Sequence, residues 1–97
     1  MDPKNPVVYS SLAWVHSALG NKQQASQEWE KSLNLAPNNS WINWSIALYY
    51  ALNGEKEKSL SALGNAICVN VTLKQRAKTD KKFQALWNDP DFIKMVE

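Results

Sequence analysis

The chain has a single cysteine, Cys68, so it can close no internal disulfide, and a reducing, cytoplasmic-type compartment is the expectation. No CxxC or H-x-x-x-H pair occurs, which removes the usual metal-ligand spacings. Glycine is scarce, with three residues, and none forms a phosphate-cradling loop. No run is long or apolar enough to span a bilayer as a helix. The opening "MDPKNP" lacks the basic region and apolar run of a secretory leader. Charge of one sign is lacking too: the net charge is +2, which names no partner. Nothing pairs Cys68 with His16 as nucleophile and base; the first reads as a small core residue, the second as a buried, hydrogen-bonded ring. No catalytic residue, no cofactor and no metal is therefore expected. With 97 residues, one domain of modest stability over 1–97 is the prior.

What is present is a repeat. The step from Pro3 to Pro37 recurs from Leu12 to Ile46, from Ala13 to Ala47 and from Gly20 to Gly54, so independent landmarks share one period. Each unit reads helix, turn, helix. The first helix opens near Pro6, which suits a first helical turn, and runs to about Leu19, where Gly20 supplies a left-handed stop. The second, about Lys22 to Leu35, carries Ala25, Trp29 and Leu33 on one stripe, and Pro37 ends it. Asn39 or Ser40 caps the third helix, and Asn53–Gly54 stops it. A fourth runs from about Glu55 to Cys68 with Leu60, Leu63 and Ile67 inward; Gly64 inside it marks a close helix approach. The tail leaves the period. It reads as a short basic helix (about Thr72 to Lys78), a helical turn after Asp80, and a last helix with Asp89 as N-cap and Pro90 as first residue. Phe83, Leu86, Trp87, Phe92, Ile93 and Val96 then form a cap, which the end of a repeat stack needs.

These residues resemble the tetratricopeptide repeat family, whose pattern is W-x2-L-G-x2-Y, then A-x3-F, then P, with the same period as here. The first unit reads Tyr9-x2-Leu12-Ala13-x2-His16, Ala25-x3-Trp29, Pro37. The second reads Asn43, Ile46, Ala47, Tyr50, Ser59 and Leu63, with Asn43 and Val71 departing from the pattern. The tail is similar to the D-x-x-F-x-x-L-x-x-D-P-x-F ending that follows the last repeat in many members. The resemblance implies an all-α helix-turn-helix fold, an α-α superhelix: repeat 1 at about 6–39, repeat 2 at about 40–71, and short capping helices over about 72–97. "MDPKN" looks like the closing loop of an earlier repeat, so the chain is expected to be a short member or the C-terminal piece of a longer array.

The third helix, "SWINWSIALYYALNG", is apolar nearly all round, whereas a surface helix keeps one polar face. At 100° per residue Asn43, Ile46, Ala47 and Tyr50 share one side; Trp41, Trp44, Leu48 and Leu52 share the other. The resemblance implies that this second side lines a concave groove where family members bind peptides and proteins. The equivalent first-helix residues are Val7, Ser10, Trp14 and Ala18. Asn5, Ser10, Asn38 and Asn39 would supply polar rim contacts. Burying the tryptophan stripe removes on the order of 300 Å² of apolar surface, so it demands a cover: the tail, a second copy, or a partner. The lysine–asparagine–arginine carboxylate clamp of chaperone-binding members is absent, so a helix or hydrophobic segment fits the groove better than a chaperone tail.

Lys74, Arg76 and Lys78, followed by Lys81 and Lys82, form a basic run around Asp80. It reads as a solvated face of the capping helix, or more sharply as a rim that attracts acidic groups, with nucleic acid disfavoured. The groups Glu28-x-Glu30-Lys31 and Glu55-Lys56-Glu57-Lys58 read as solvated helix charge. The expected function is a non-catalytic protein-interaction scaffold that binds a partner peptide or helix in an apolar, tryptophan-rich groove. Two alternatives stand beside it: homodimerisation through the same aromatic face, and the end of a longer repeat array.

Overall fold

A computed structural model describes residues 5–97; the stretch 1–4, most of the expected closing loop of an earlier repeat, lies outside the described residues. All regular structure among them is helical. The order is α1 (Pro6–Ala18), α2 (Lys22–Leu35), α3 (Ser40–Leu52), α4 (Lys56–Val69), α5 (Leu73–Thr79), a 3-10 helix (Lys81–Leu86) and α6 (Pro90–Val96). Helices α1 and α2 pack as one antiparallel hairpin, α3 and α4 as a second, and α3 lies against both helices of the first. This is an all-α, helical repeat-like fold.

The helix ends explain the period. Asn5 and Asn39 cap α1 and α3: their Oδ1 atoms accept from the N–H of Val7 at 2.9 Å and of Ile42 at 3.0 Å. Gly20 and Gly54 stop the same helices with φ of +84° and +74°. The N–H of the following residue, Asn21 or Glu55, donates to the carbonyl of His16 at 2.8 Å or of Tyr50 at 2.9 Å. This is the Schellman closure, and a side chain at the left-handed position would cost roughly 1–2 kcal/mol.

Small residues let each hairpin close. Ala13 and Ala25 in the first, and Ala47 and Ser59 in the second, have no exposed surface. The Ser59 hydroxyl donates to the Ala47 carbonyl at 2.7 Å, and the Ser32 hydroxyl to the Pro6 carbonyl at 2.9 Å. Trp29 and its counterpart Leu63 fill the two hairpin cores. Tyr49 fastens the hairpins together. Its ring lies 5.8 Å from Trp29 and 6.3 Å from Trp14, and its hydroxyl donates to the Lys22 carbonyl at 3.4 Å.

The tail folds back onto the second hairpin: α5 packs on α4, and the 3-10 helix packs on α3. Phe83 stands one period after Tyr49 and does a similar job. It is fully buried, edge-on to Trp44 at 5.1 Å and tilted against Phe92 at 5.8 Å. The Trp87 indole N–H fixes the return by donating to the Ala77 carbonyl at 3.2 Å. Lys56 pairs with Asp89 at 2.8 Å and Asp91 at 3.1 Å, tying α4 to the start of α6.

Gly64 meets α6. A Cβ built there would lie 3.6 Å from Met95 Cε, an ordinary contact, with no backbone in the way. Gly64→Ala is therefore expected to stabilise by up to about 1 kcal/mol through helix propensity, read as a raised Tm. A lowered Tm would mean that α6 sits closer to α4 than described.

The Lys56 hydrogen bond, followed by backbone N–H groups of Phe92 and Asp91, holds the Asp89 carboxyl below the usual carboxylate range, against desolvation. The two acids raise Lys56 above the usual lysine range. A lowered carboxyl pKa stabilises the fold above its unfolded value and loses that effect as pH falls through the folded one. The raised lysine loses its effect only as pH rises through its folded value. The Tm advantage of wild type over Asp89→Asn is thus expected to be flat near neutrality and to vanish on acidification below the carboxylate range. An advantage that persists in acid would reject the pair as its source.

Several residues differ from the sequence-based expectations. Cys68 is exposed: Ile67 takes the inward position, and the next residue is turned about 100° away. Ile93 of the cap is 43% exposed, because Phe92 and Val96 face inward. Glu28 is buried, not solvated, because it faces His16 across the first hairpin. Lys56 is not free helix charge but the partner of Asp89 and Asp91.

Candidate functional site

The tryptophan stripe lies partly under the tail. Trp44 and Leu48 are buried, 3% and 6% exposed; Phe83 stands edge-on to Trp44, and its 3-10 helix packs on α3. Of the covers the stripe demanded, the tail takes this one. Ser10 is also buried and donates to the Val7 carbonyl at 3.0 Å, so it offers no rim contact. Trp14 is half-buried, edge-on to Trp29 at 5.4 Å.

Trp41 remains outside, 56% exposed, at the start of α3. Leu52, 57% exposed, is at the other end of the same helix, beyond the covered Leu48. Asn5 and Asn39 are exposed, but each Oδ1 is engaged as a cap; Asn38 is exposed in the turn between α2 and α3. Val7, 58% exposed, holds on α1 the place that Trp41 holds on α3.

The basic run closes over this surface. The Arg76 guanidinium lies over the Trp41 ring at 5.1 Å, and the Lys82 ammonium over the Trp14 ring at 5.7 Å. Both cations come from the tail and both tryptophans from the hairpins, so the tail and that face of the hairpins form one surface. Lys74 donates to the main-chain oxygen of Glu97 at 3.0 Å, and Lys78 is exposed. Among the described residues none of Arg76, Lys78, Lys81 and Lys82 is paired with a carboxylate. Asp80, the acid within the run, is used as a cap, its Oδ1 accepting from the Lys82 N–H at 2.9 Å.

Sequence reasoning found the tryptophans and the cations but not their pairing. The separation of Trp41 and Arg76, close to one period, is the signal that places them on neighbouring elements. It also missed the His16–Glu28 pair, in which Nδ1 of the half-buried ring meets Oε1 of a buried carboxylate. Beside His16 lies a broad, open, polar depression lined by Gly20, Asn21, Lys22 and three glutamines. Beside His16 its lining holds no Ser, Thr, Cys, Asp or Glu. At Tyr50, burial raises the phenol pKa above its usual value, and Lys58 partly opposes that.

No group of three or more His, Cys, Asp or Glu capable of holding a metal ion occurs among the described residues. No helix there is long and apolar enough to cross a membrane. No family model, curated protein or solved structure matches the chain.

Proposed function

We propose that the chain is a tetratricopeptide-type module whose work is non-catalytic protein–protein interaction, with a partner peptide or helix as its ligand. The exposed Trp41–Arg76 pair carries this reading. Tryptophan and arginine are among the side chains most enriched at interface hot spots, and here the Arg76 guanidinium lies over the Trp41 ring at 5.1 Å, with both residues exposed. The recurrence of an asparagine cap and a glycine stop at the same register in both hairpins supports the family reading. The binding surface is what the tail leaves of the groove: Trp41, Val7 and half-buried Trp14, with Arg76 and Lys82 as a cationic border.

A peptide-display selection on the folded chain tests this. Peptides enriched on wild type are expected to lose at least about 2 kcal/mol, roughly thirtyfold, on Trp41→Ala and less on Arg76→Ala. Since Trp41 is mostly exposed, its removal is expected to change stability by no more than about 0.5 kcal/mol. No enrichment, or enriched peptides indifferent to Trp41, would reject the surface.

A further inference from the structure

Charge is segregated along this chain. Residues 73–82 hold five of the eleven Lys and Arg but one of the nine Asp and Glu. That one acid, Asp80, is engaged as a cap, and Lys74 is taken by the main-chain oxygen of Glu97. Arg76, Lys78, Lys81 and Lys82 are exposed and, among the described residues, have no carboxylate partner. The two lysines of α4 differ: Lys56 pairs with Asp89 and Asp91, and Lys58 with Glu55. Helices α1 and α3, over which the tail places Lys82 and Arg76, contain no Lys, Arg, Asp or Glu of their own. They offer the tail cations apolar rings but no counter-charge.

We propose that the ligand of this surface is an acidic segment of a partner protein, with Asp or Glu on both sides of an apolar side chain. Its carboxylates meet Arg76 and Lys82, and the apolar side chain lies on Trp41. The inference rests on the interaction reading above and adds the chemistry of the partner. A cation over an aromatic ring is attracted to the ring face, which orders its stem before any ligand arrives. The guanidinium then keeps N–H donors for a carboxylate, which it holds by two parallel hydrogen bonds. Arg76 stands by α3 and Lys82 by α1, so the ligand is a peptide segment that reaches both, not a lone carboxylate. A polyanion fits less well. Nucleic-acid affinity grows with the number of phosphates neutralised, and the whole chain carries only +2. Each of the two tryptophans also has a cation over its ring, where a base would otherwise stack.

Two selections from one peptide-display library test this, on the full wild-type chain and on Arg76→Glu/Lys82→Glu with unchanged helical circular dichroism. The wild-type pool is expected to gain Asp and Glu over the starting library, and the charge-reversed variant to gain Lys and Arg instead. The most enriched wild-type peptide is expected to bind Arg76→Gln/Lys82→Gln at least about tenfold more weakly. The same peptide with Asn and Gln in place of its acids should lose a similar factor on wild type, and the two changes together little more than either alone. A wild-type pool with no excess of acids that still needs Trp41 overturns the acidic ligand and leaves the interaction reading standing. An empty selection overturns that reading, and the acidic ligand with it. Polyuridylate that binds wild type more tightly than the enriched peptide, and is lost on Arg76→Gln/Lys82→Gln, overturns the acidic ligand in favour of nucleic acid.

Discussion

Phe83→Ala is expected to destabilise the chain by about 3–5 kcal/mol, the usual result of emptying a fully buried phenylalanine site. For a chain of this length each kcal/mol moves Tm by roughly 4–8 °C, so a fall on the order of 15–30 °C should be measured by circular dichroism. The effect is large for its position in a six-residue 3-10 helix, because Phe83 joins three elements. Its ring contacts Trp44 of α3 and Phe92 of α6, and the loop around it is held by the Trp87–Ala77 hydrogen bond. Without the ring, Trp44 and Leu48 face water, and the loss of that burial adds to the loss at Phe83 itself. Phe83→Leu keeps most of the volume and is expected to recover more than half of the effect. A change within about 0.5 kcal/mol on Phe83→Ala, typical of an exposed site, would contradict the docked tail.

Trp29→Ala is the second large effect, again about 3–5 kcal/mol, with the damage at the junction of the hairpins. Trp29 is 1% exposed and supports both Trp14 and Tyr49 by ring contacts. Its loss removes the partner of the tyrosine that fastens α3 to the first hairpin. Trp29 carries an offsetting feature: its indole N–H is buried without a hydrogen-bond partner, which costs about 1–3 kcal/mol in its own right. Trp29→Phe leaves some volume empty but removes that donor. Chemical denaturation should therefore place Trp29→Phe well above Trp29→Ala in stability, close to wild type. A Trp29→Phe variant well below wild type in stability would count against an unpaired donor at this site.

The two hairpins were legible in the sequence because their punctuation is local. A glycine in the left-handed region, an asparagine accepting from its own helix start, and an Asp-Pro pair opening α6 each act within a few residues. The burial of Ala13, Ala25, Ala47 and Leu63 followed from the repeat register. The fate of the groove face did not follow. A helical wheel puts Trp41, Trp44, Leu48 and Leu52 on one side of α3, but what covers each depends on where a tail far along the chain crosses that face. It crosses at Trp44 and Leu48 and leaves the two ends, Trp41 and Leu52, in water. Glu28 was hidden for a similar reason: only the long-range position of His16 explains a carboxylate turned inward on a helix rich in polar side chains. Asn43, where the first unit has Tyr9, departs from the repeat pattern and yet is buried. Its Nδ2 donates to the carbonyls of Pro37 and Asn39, both at 3.0 Å, so a polar side chain joins the turn to the helix where the first unit uses a ring.

The tail closes the second hairpin over Trp44 and leaves Trp41 as the exposed tryptophan of α3. Proton NMR on the labelled chain tests this arrangement directly, since each of the five tryptophans carries an indole N–H group. Ring-to-ring Overhauser contacts between Trp44 and Phe83 are expected, with a slowly exchanging indole proton at Trp87 and a rapidly exchanging one at Trp41. Rapid exchange at Trp87, with no contact between Trp44 and Phe83, would contradict it and return the whole stripe to an open groove.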